Sequence, residues 1–230
     1  MAKTGRKMDA VILAAGAAKR MEQEVPKQFL RIGGKPIIIY VMEVLRKAEI
    51  FDRLVVTTLR GYEAHYDELI KTYHLTDVEL IAGGSTRQES CRLALTKVRT
   101  DRVLIHEAAR PFITADFVRR LVAYPDRAVV PVLPIDFTVS AGGDFMTKIL
   151  DRGELRNIQL PQVFETKTIV AAHERARADG FTATEDSTLV FRMGIPVRFV
   201  EGLRENFKIT DRFDLFVAER LKQMRDESDV

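Results

Sequence analysis

The residues of this chain best suited to chemistry begin between Asp9 and Gln28, in DAVILAAGAAKRMEQEVPKQ, where an apolar run gives way to small residues and then to cations, Arg20 and Lys27 among them. Val11, Ile12 and Leu13 read as a buried strand, and Ala14, Ala15 and Gly16 as a turn whose backbone N–H groups an anion can approach without meeting side chains. Arg20 and Lys27 can bring full positive charge to the same place. That equipment suits a nucleoside triphosphate and the charge that builds on a phosphorus atom under attack. The turn matches neither G-x-G-x-x-G nor G-x-x-x-x-G-K-[ST]. Taken alone, it equally describes a plain strand-to-helix connection with Arg20 and Lys27 in solvent.

The motif A-A-G-x-x-x-R-M at Ala14 to Met21, followed by P-K-Q at Pro26 to Gln28, resembles the signature of cytidylyltransferases related to 2-C-methyl-D-erythritol 4-phosphate cytidylyltransferase. GGSTRQES at 83 to 90, HEAARP at 106 to 111, PQVF at 161 to 164 and ENFKIT at 205 to 210 follow in the same order, so the likeness covers nearly the whole chain. The resemblance implies an enzyme that joins CMP from CTP to a phosphorylated polyol and releases pyrophosphate. Methylerythritol phosphate, of the isoprenoid precursor pathway, is the first acceptor implied, and ribitol 5-phosphate is the alternative. A phosphomonoester has a second pKa of about 6 and is mostly dianionic near neutral pH, so it needs no general base. It needs cations to bring one polyanion onto another.

By the same resemblance, Arg20, Lys27 and Lys208 are the catalytic cations, and Ala14, Ala15, Gly16, Gly83, Arg87 and Ser90 hold CTP. Arg87 also reads as an ordinary helix-surface charge. Glu107, Arg110, Thr138 and Arg152 would serve the acceptor, with Arg152 supplied across a homodimer. Magnesium, or a similar divalent cation, would be carried mainly on the CTP phosphates, with Glu107 as a candidate protein ligand. A nucleotide-binding protein without catalysis is the reading from a different class. The joint presence of Arg20, Lys27 and Lys208 and the glycine turns argue against it.

Departures from the family pattern fall on the acceptor side. Glu107 stands where aspartate is usual, Phe137 and Val139 give Thr138 apolar flanks, and Leu160 takes the place of a threonine before Pro161 and Gln162. Loss of hydrogen-bonding groups from a site can change specificity by orders of magnitude. These positions therefore raise the expectation of altered acceptor contacts.

Two hundred and thirty residues, 46% of them hydrophobic, suffice for one domain with a substantial core. A net charge of +3 from 36 basic and 33 acidic residues does not indicate nucleic-acid binding. The apolar runs are too short to span a membrane, and residues 1–7 read as a solvated basic tail. Cys91 is the one cysteine, read as a core residue of a protein in a reducing, cytoplasmic compartment. Histidines 65, 74, 106 and 173 show no metal-ligand spacing, and His106 reads as structural.

The elements that must position these groups alternate. Strands are expected at Arg53 to Leu59, Val78 to Ile81, Arg102 to Ile105, Ala128 to Val132 and Val197 to Val200, with helices at Pro36 to Ala48, Tyr62 to Tyr73 and Thr114 to Ala123. Ser85 is expected to cap a helix through Val98, with Gln88 completing a capping box. Further helices are expected over Thr166 to Ala178, ended by Gly180, and over Thr184 to Met193, ended by Gly194. Asp211 should cap a last helix that turns Phe213, Phe216 and Leu221 inward. The βα order argues for a doubly wound, mostly parallel α/β sheet with ligands at the carboxyl ends of its strands. Between Pro134 and Leu160 the alternation breaks around Gly142-Gly143-Asp144, which predicts a hairpin. The resemblance makes that hairpin an arm clasping a second subunit.

Overall fold

The computed structural model describes residues 8–16 and 25–228, so the expected basic tail and Arg20 lie outside the described residues. β1 (Met8–Leu13) runs through the middle of the sheet and is wholly buried. Its pleat sends Ala10 and Ile12 into one core cluster and Val11 and Leu13 into the other. A strand covered on both faces needs apolar residues at every position, which is why it reads as a continuous run.

One face is covered by α1 (Ile37–Lys47), α2 (Glu63–Thr72) and α4 (Ala115–Val122), the other by α3 (Arg87–Leu95), α5 (Thr166–Ala178) and α6 (Asp186–Arg192). Between them β4 (Phe51–Thr58), β5 (Val78–Ala82) and β6 (Arg102–Glu107) join β1 in parallel, in the order β6–β1–β4–β5. β7 (Ala128–Pro134) and β12 (Arg198–Glu201) also pair in parallel. Between β6 and β7 lies β11 (Gln162–Glu165), antiparallel to both. The expected doubly wound architecture is present, and this reversed strand is an addition to it. A small hairpin of β2 (Arg31–Ile32) and β3 (Lys35–Pro36) precedes α1. No helix among the described residues is long and apolar enough to cross a membrane.

The break in alternation is an elaborated return from β7. β10 (Arg156–Ile158) pairs antiparallel with the end of β7 and leads directly into β11. The arm proper is the short ladder of β8 (Ser140–Gly142) and β9 (Met146–Ile149), which among the described residues pair only with each other. β6 and β7 are both antiparallel to β11, so the carboxyl end of β7, where the arm departs, lies on the same sheet edge as the carboxyl ends of β1, β5 and β6.

Local signals set most helix ends. Thr114 Oγ1 accepts from the Phe117 N–H as a cap, and Gly180 and Gly194 take positive φ just past α5 and α6. At α3 the expectation is corrected: Thr86, not Ser85, accepts from the Glu89 N–H, and the helix ends at Leu95. Gln88 instead bridges to the Phe181 carbonyl and the Ala183 N–H. In α7 (Arg212–Ser228), Asp211 caps the helix as expected, but Phe213 and Phe216 are exposed. Leu215, Ala218 and Leu221 form the inward face, packed on Ile32, Ile37, Phe112 and Ile209. These residues recur at a three-residue spacing, which only one stripe of the helix can satisfy.

Candidate active site

The carboxyl ends of β1 and β6 and the start of α3 open onto one cleft of about 490 Å3. Its wall at β1 is the Ala14–Gly16 turn. The Ala14 N–H donates to Thr57 Oγ1 at 2.9 Å, and the Ala14 carbonyl accepts from the Tyr66 hydroxyl at 2.7 Å. Gln28 Nε2 donates to that same hydroxyl at 3.1 Å. Since Gln28 follows Lys27 in a single 3-10 turn, Lys27–Phe29, one buried phenol ties the Ala14–Gly16 turn to the segment that carries Lys27. Burial raises the Tyr66 pKa to about 12, so the phenol stays protonated.

Gly83 follows β5 and touches this turn. A Cβ placed on it would stand 2.2 Å from the Ala15 Cβ, which explains why only glycine fits. The next N–H, from Gly84, donates to Ser90 Oγ at 3.1 Å, and that hydroxyl donates to the Thr86 carbonyl at 2.8 Å. Ser90 thus closes the glycine turn onto the first turn of α3 while lining the cleft.

Charge enters from three elements. Arg87 from α3, Glu107 from the end of β6 and Lys208 from the loop before α7 line the cleft beside Lys27. Arg87 Nε donates to Glu107 Oε1 at 2.7 Å, and Lys208 Nζ lies 2.7 Å from Glu107 Oε2. Burial would raise the Glu107 pKa, but the charges of Arg87 and Lys208 outweigh it and bring it down to about 2. Burial would likewise discharge Arg87. Asp186, Glu107 and Glu185 together raise its pKa instead. Arg87 is therefore no helix-surface charge. Glu185 is pushed up by its own burial, against the pull of Arg87.

The sequence-derived candidates divide. Ala15, Gly16, Lys27, Arg87, Ser90, Glu107 and Lys208 line the cleft, Ala14 is buried beneath it, and Gly83 packs against Ala15. Arg110 does not line it. Its Nη1 donates to the Asn206 carbonyl at 2.9 Å, and the Ile209 N–H donates to the Ala109 carbonyl at 2.9 Å, so Arg110 braces the loop that delivers Lys208. Thr138 and Arg152 stand outside the cleft on exposed parts of the arm region, Arg152 donating to the Asp136 carbonyl. His106 is structural, as expected: it is fully buried with Nε2 3.0 Å from the Arg110 carbonyl, and burial lowers its pKa to about 4.

Leu160 is wholly buried in the core cluster of α3 and α5, and its carbonyl accepts from Asn206 Nδ2. The Leu160 side chain thus lies in the core and not on the surface of the cleft. Tyr66, Asn206, Asp186 and His173 escaped sequence reasoning. Each acts on a segment far away in the chain, so no local spacing marked it.

Glu107 is the only carboxylate among the described residues lining the cleft, and both of its oxygens are engaged by cations. That donor set suits a divalent ion borne on a triphosphate, which needs few protein ligands, and does not suit a protein-built cage.

The family described as 2-C-methyl-D-erythritol 4-phosphate cytidylyltransferase matches residues 8–223. A protein of that name from Geobacillus kaustophilus is 34% identical over 222 residues, covering 94% of this chain and 97% of its own. One from Caldanaerobacter subterraneus subsp. tengcongensis is 36% identical over 220 residues, covering 92% and 97%. The crystal structure of 2-C-methyl-D-erythritol 4-phosphate cytidylyltransferase from Thermus thermophilus superposes with a TM-score of 0.79 at 32% identity, covering 94% of this chain and 99% of that one.

Proposed function

The chain belongs to the 2-C-methyl-D-erythritol 4-phosphate cytidylyltransferase family, and from that premise we propose that it transfers CMP from CTP to 2-C-methyl-D-erythritol 4-phosphate. The observation that carries the reading is the cleft itself. A backbone anion turn, Lys27, Arg87 and Lys208 meet at the carboxyl edge of a doubly wound sheet. In the step proposed, an oxygen of the acceptor's phosphate attacks the α-phosphorus of CTP. The new P–O bond forms as the bond to the bridging oxygen of the β-phosphate breaks, and pyrophosphate leaves with that electron pair.

Lys27 and Lys208 are given the work of stabilising the charge that accumulates on the α-phosphate. Arg20 is proposed as a third such cation on resemblance alone. The N–H groups of Ala15 and Gly16 receive the triphosphate, and Gly83 and Ser90 the nucleoside. A magnesium ion carried by the triphosphate would neutralise part of its charge and polarise the phosphoryl group. Glu107 is the side chain available to it or to its bound water.

The acceptor side is assigned to the arm, acting in a homodimer. Phe137, Phe145, Met146 and Ile149 are more than two-thirds exposed on and beside the short arm ladder, a concentration of apolar surface that monomers rarely carry. A second copy covering them would also carry Arg152 to the neighbouring cleft. A cytoplasmic setting is consistent with the single buried thiol of Cys91.

Pyrophosphate release from CTP decides among acceptors when methylerythritol, ribitol, erythritol and glycerol phosphates are compared. Fastest turnover is expected with methylerythritol phosphate, the substrate named in the relatives. Preference for ribitol 5-phosphate would overturn the acceptor assignment, and no release with any acceptor would leave a catalytically silent nucleotide binder.

A further inference from the structure

A row of ionisable side chains runs from the core of the second helical layer to the cleft. His173 on α5 and Asp186, the first residue of α6, are each fully buried, with His173 Nε2 3.0 Å from Asp186 Oδ1. Asp186 Oδ2 lies 2.9 Å from Arg87 Nη1, Arg87 Nε donates to Glu107 Oε1, and Glu107 Oε2 meets Lys208 Nζ. Arg87 Nη2 is 3.7 Å from Glu185 Oε2 at the rim. Neither His173 nor Asp186 lines the cleft.

A guanidinium left alone with a carboxylate prefers to take both oxygens in a parallel fork. Here Arg87 reaches Glu107 through Nε alone: Asp186 anchors Nη1, and Nη2, the fork partner of Nε, stands 3.7 Å from Glu185 Oε2 instead of meeting Glu107. The second oxygen of Glu107 is thereby left for Lys208. We propose that Asp186, held by His173, is a positioning residue: it draws Arg87 back from Glu107 and so reserves Glu107 Oε2 as the seat of Lys208. With that seat intact, the flexible stem of Lys208 enters the reaction from a fixed starting point. Ionic groups are costly to bury, and apolar residues would serve the core better. A steering duty accounts for their place behind the cleft.

Cys91 approaches the same pair, and one ligand atom from each of Cys91, His173 and Asp186 lies within 4.8 Å of the others. The Asp186 oxygens are nonetheless taken by His173 and Arg87. Stoichiometric zinc in the purified protein would make Asp186 a ligand and overturn the steering role.

The test compares the full-length protein with Asp186→Asn, Arg87→Lys and the double variant. Once Asp186 no longer restrains it, Arg87 should fork onto Glu107 and displace Lys208. Competitive acetylation followed by peptide mass spectrometry should then show Lys208 labelled about threefold faster or more, with other lysines unchanged. In steady state, Asp186→Asn should lower kcat by about tenfold or more while KM for CTP moves less than about threefold. The double variant should be no slower than Arg87→Lys within about twofold, because both changes act through one guanidinium. Unchanged Lys208 labelling, an unchanged kcat or multiplying losses would each overturn the proposal. Should Asp186→Asn fail to fold, His173→Gln keeps the Asp186–Arg87 pair while loosening its support. Faster Lys208 labelling is then expected, and an unchanged rate overturns the role. The kinetic arm rests on the CMP-transfer reading, whereas labelling does not. A wild-type protein that releases no pyrophosphate would sink that reading and leave labelling to judge Asp186.

Discussion

Gly83 and Ala15 stand so close that the glycine is the only residue able to complete the wall between them: a Cβ on Gly83 would lie 2.2 Å from the Ala15 Cβ and 3.2 Å from the Thr58 carbonyl oxygen. Neither neighbour is the far end of a flexible side chain, so the strain must go into the Ala14–Gly16 turn. Gly83→Ala should cost about 1 to 3 kcal/mol of stability and weaken CTP binding. Denaturant unfolding and calorimetric CTP titration check it, and unchanged CTP affinity would show that the turn gives way without consequence.

Tyr66→Phe isolates a single hydroxyl. The ring keeps its edge contact with Phe29, at 4.8 Å between centroids, while the Ala14 carbonyl and Gln28 Nε2 each lose a partner. A loss of about 1 to 3 kcal/mol is expected from the orphaned groups. A fall in kcat should accompany it, since Lys27 adjoins Gln28. Wild-type turnover in a destabilised variant would separate the phenol from the chemistry.

Lys27→Ala and Lys208→Ala should each reduce kcat about a hundredfold or more, the usual consequence of removing a preorganised charge from a phosphoryl transition state. Circular dichroism should be unchanged for both. Either variant turning over at the wild-type rate would remove that lysine from the proposed step.

Acid should destabilise the fold in two stages. His106 has its pKa lowered from 6.5 to about 4, so the unfolded chain takes up its proton first, and stability falls as pH drops through that window. Glu107 is lowered from 4.5 to about 2, so the benefit of its ion pairs is complete above about pH 4.5 and is lost between there and pH 2. Unfolding measured against pH should lose its upper stage in His106→Gln and have its lower stage reduced in Glu107→Gln, the remainder belonging to Asp186 and Glu165, whose pKa values are lowered too. Parallel curves for wild type and variants would refute the assignment.

Mixing Lys27→Ala chains with Arg152→Ala chains tests the arm. Each parent should be inactive as a homodimer, whereas a mixed dimer holds one cleft with both groups intact if Arg152 works on its neighbour. Activity should therefore return on mixing. Mixed dimers that form and stay inactive would confine Arg152 to its own chain.

What could be read from the chain alone was whatever short-range chemistry decides. The caps Thr114 and Asp211 and the helix stops Gly180 and Gly194 were legible because a cap or an αL glycine depends on residues three or four away. Ser85 and Thr86 are adjacent hydroxyls, and the choice between them turned on Gln88, which spends its side chain on residues 181 and 183. In α7 apolar residues occupy two stripes, and only the position of Ile32 and Ile209 settles which one is buried. The wall of the cleft made by the Ala14–Gly16 and Gly83–Gly84 turns was legible as motifs. The buried row of His173, Asp186 and Arg87 was not, because its members meet only after three helices have packed.

Burial of Leu160 bears on how acceptor choice could drift over generations. A polar residue there would have to enter the core shared by α3 and α5 before it could touch any substrate, and such a change is selected first on whether the protein survives folding. The solvent-facing Phe137 and Thr138 meet no such barrier within a single chain. With the acceptor assigned to the arm as proposed, new acceptor preferences would be reached by mutational paths through the arm before paths through Leu160.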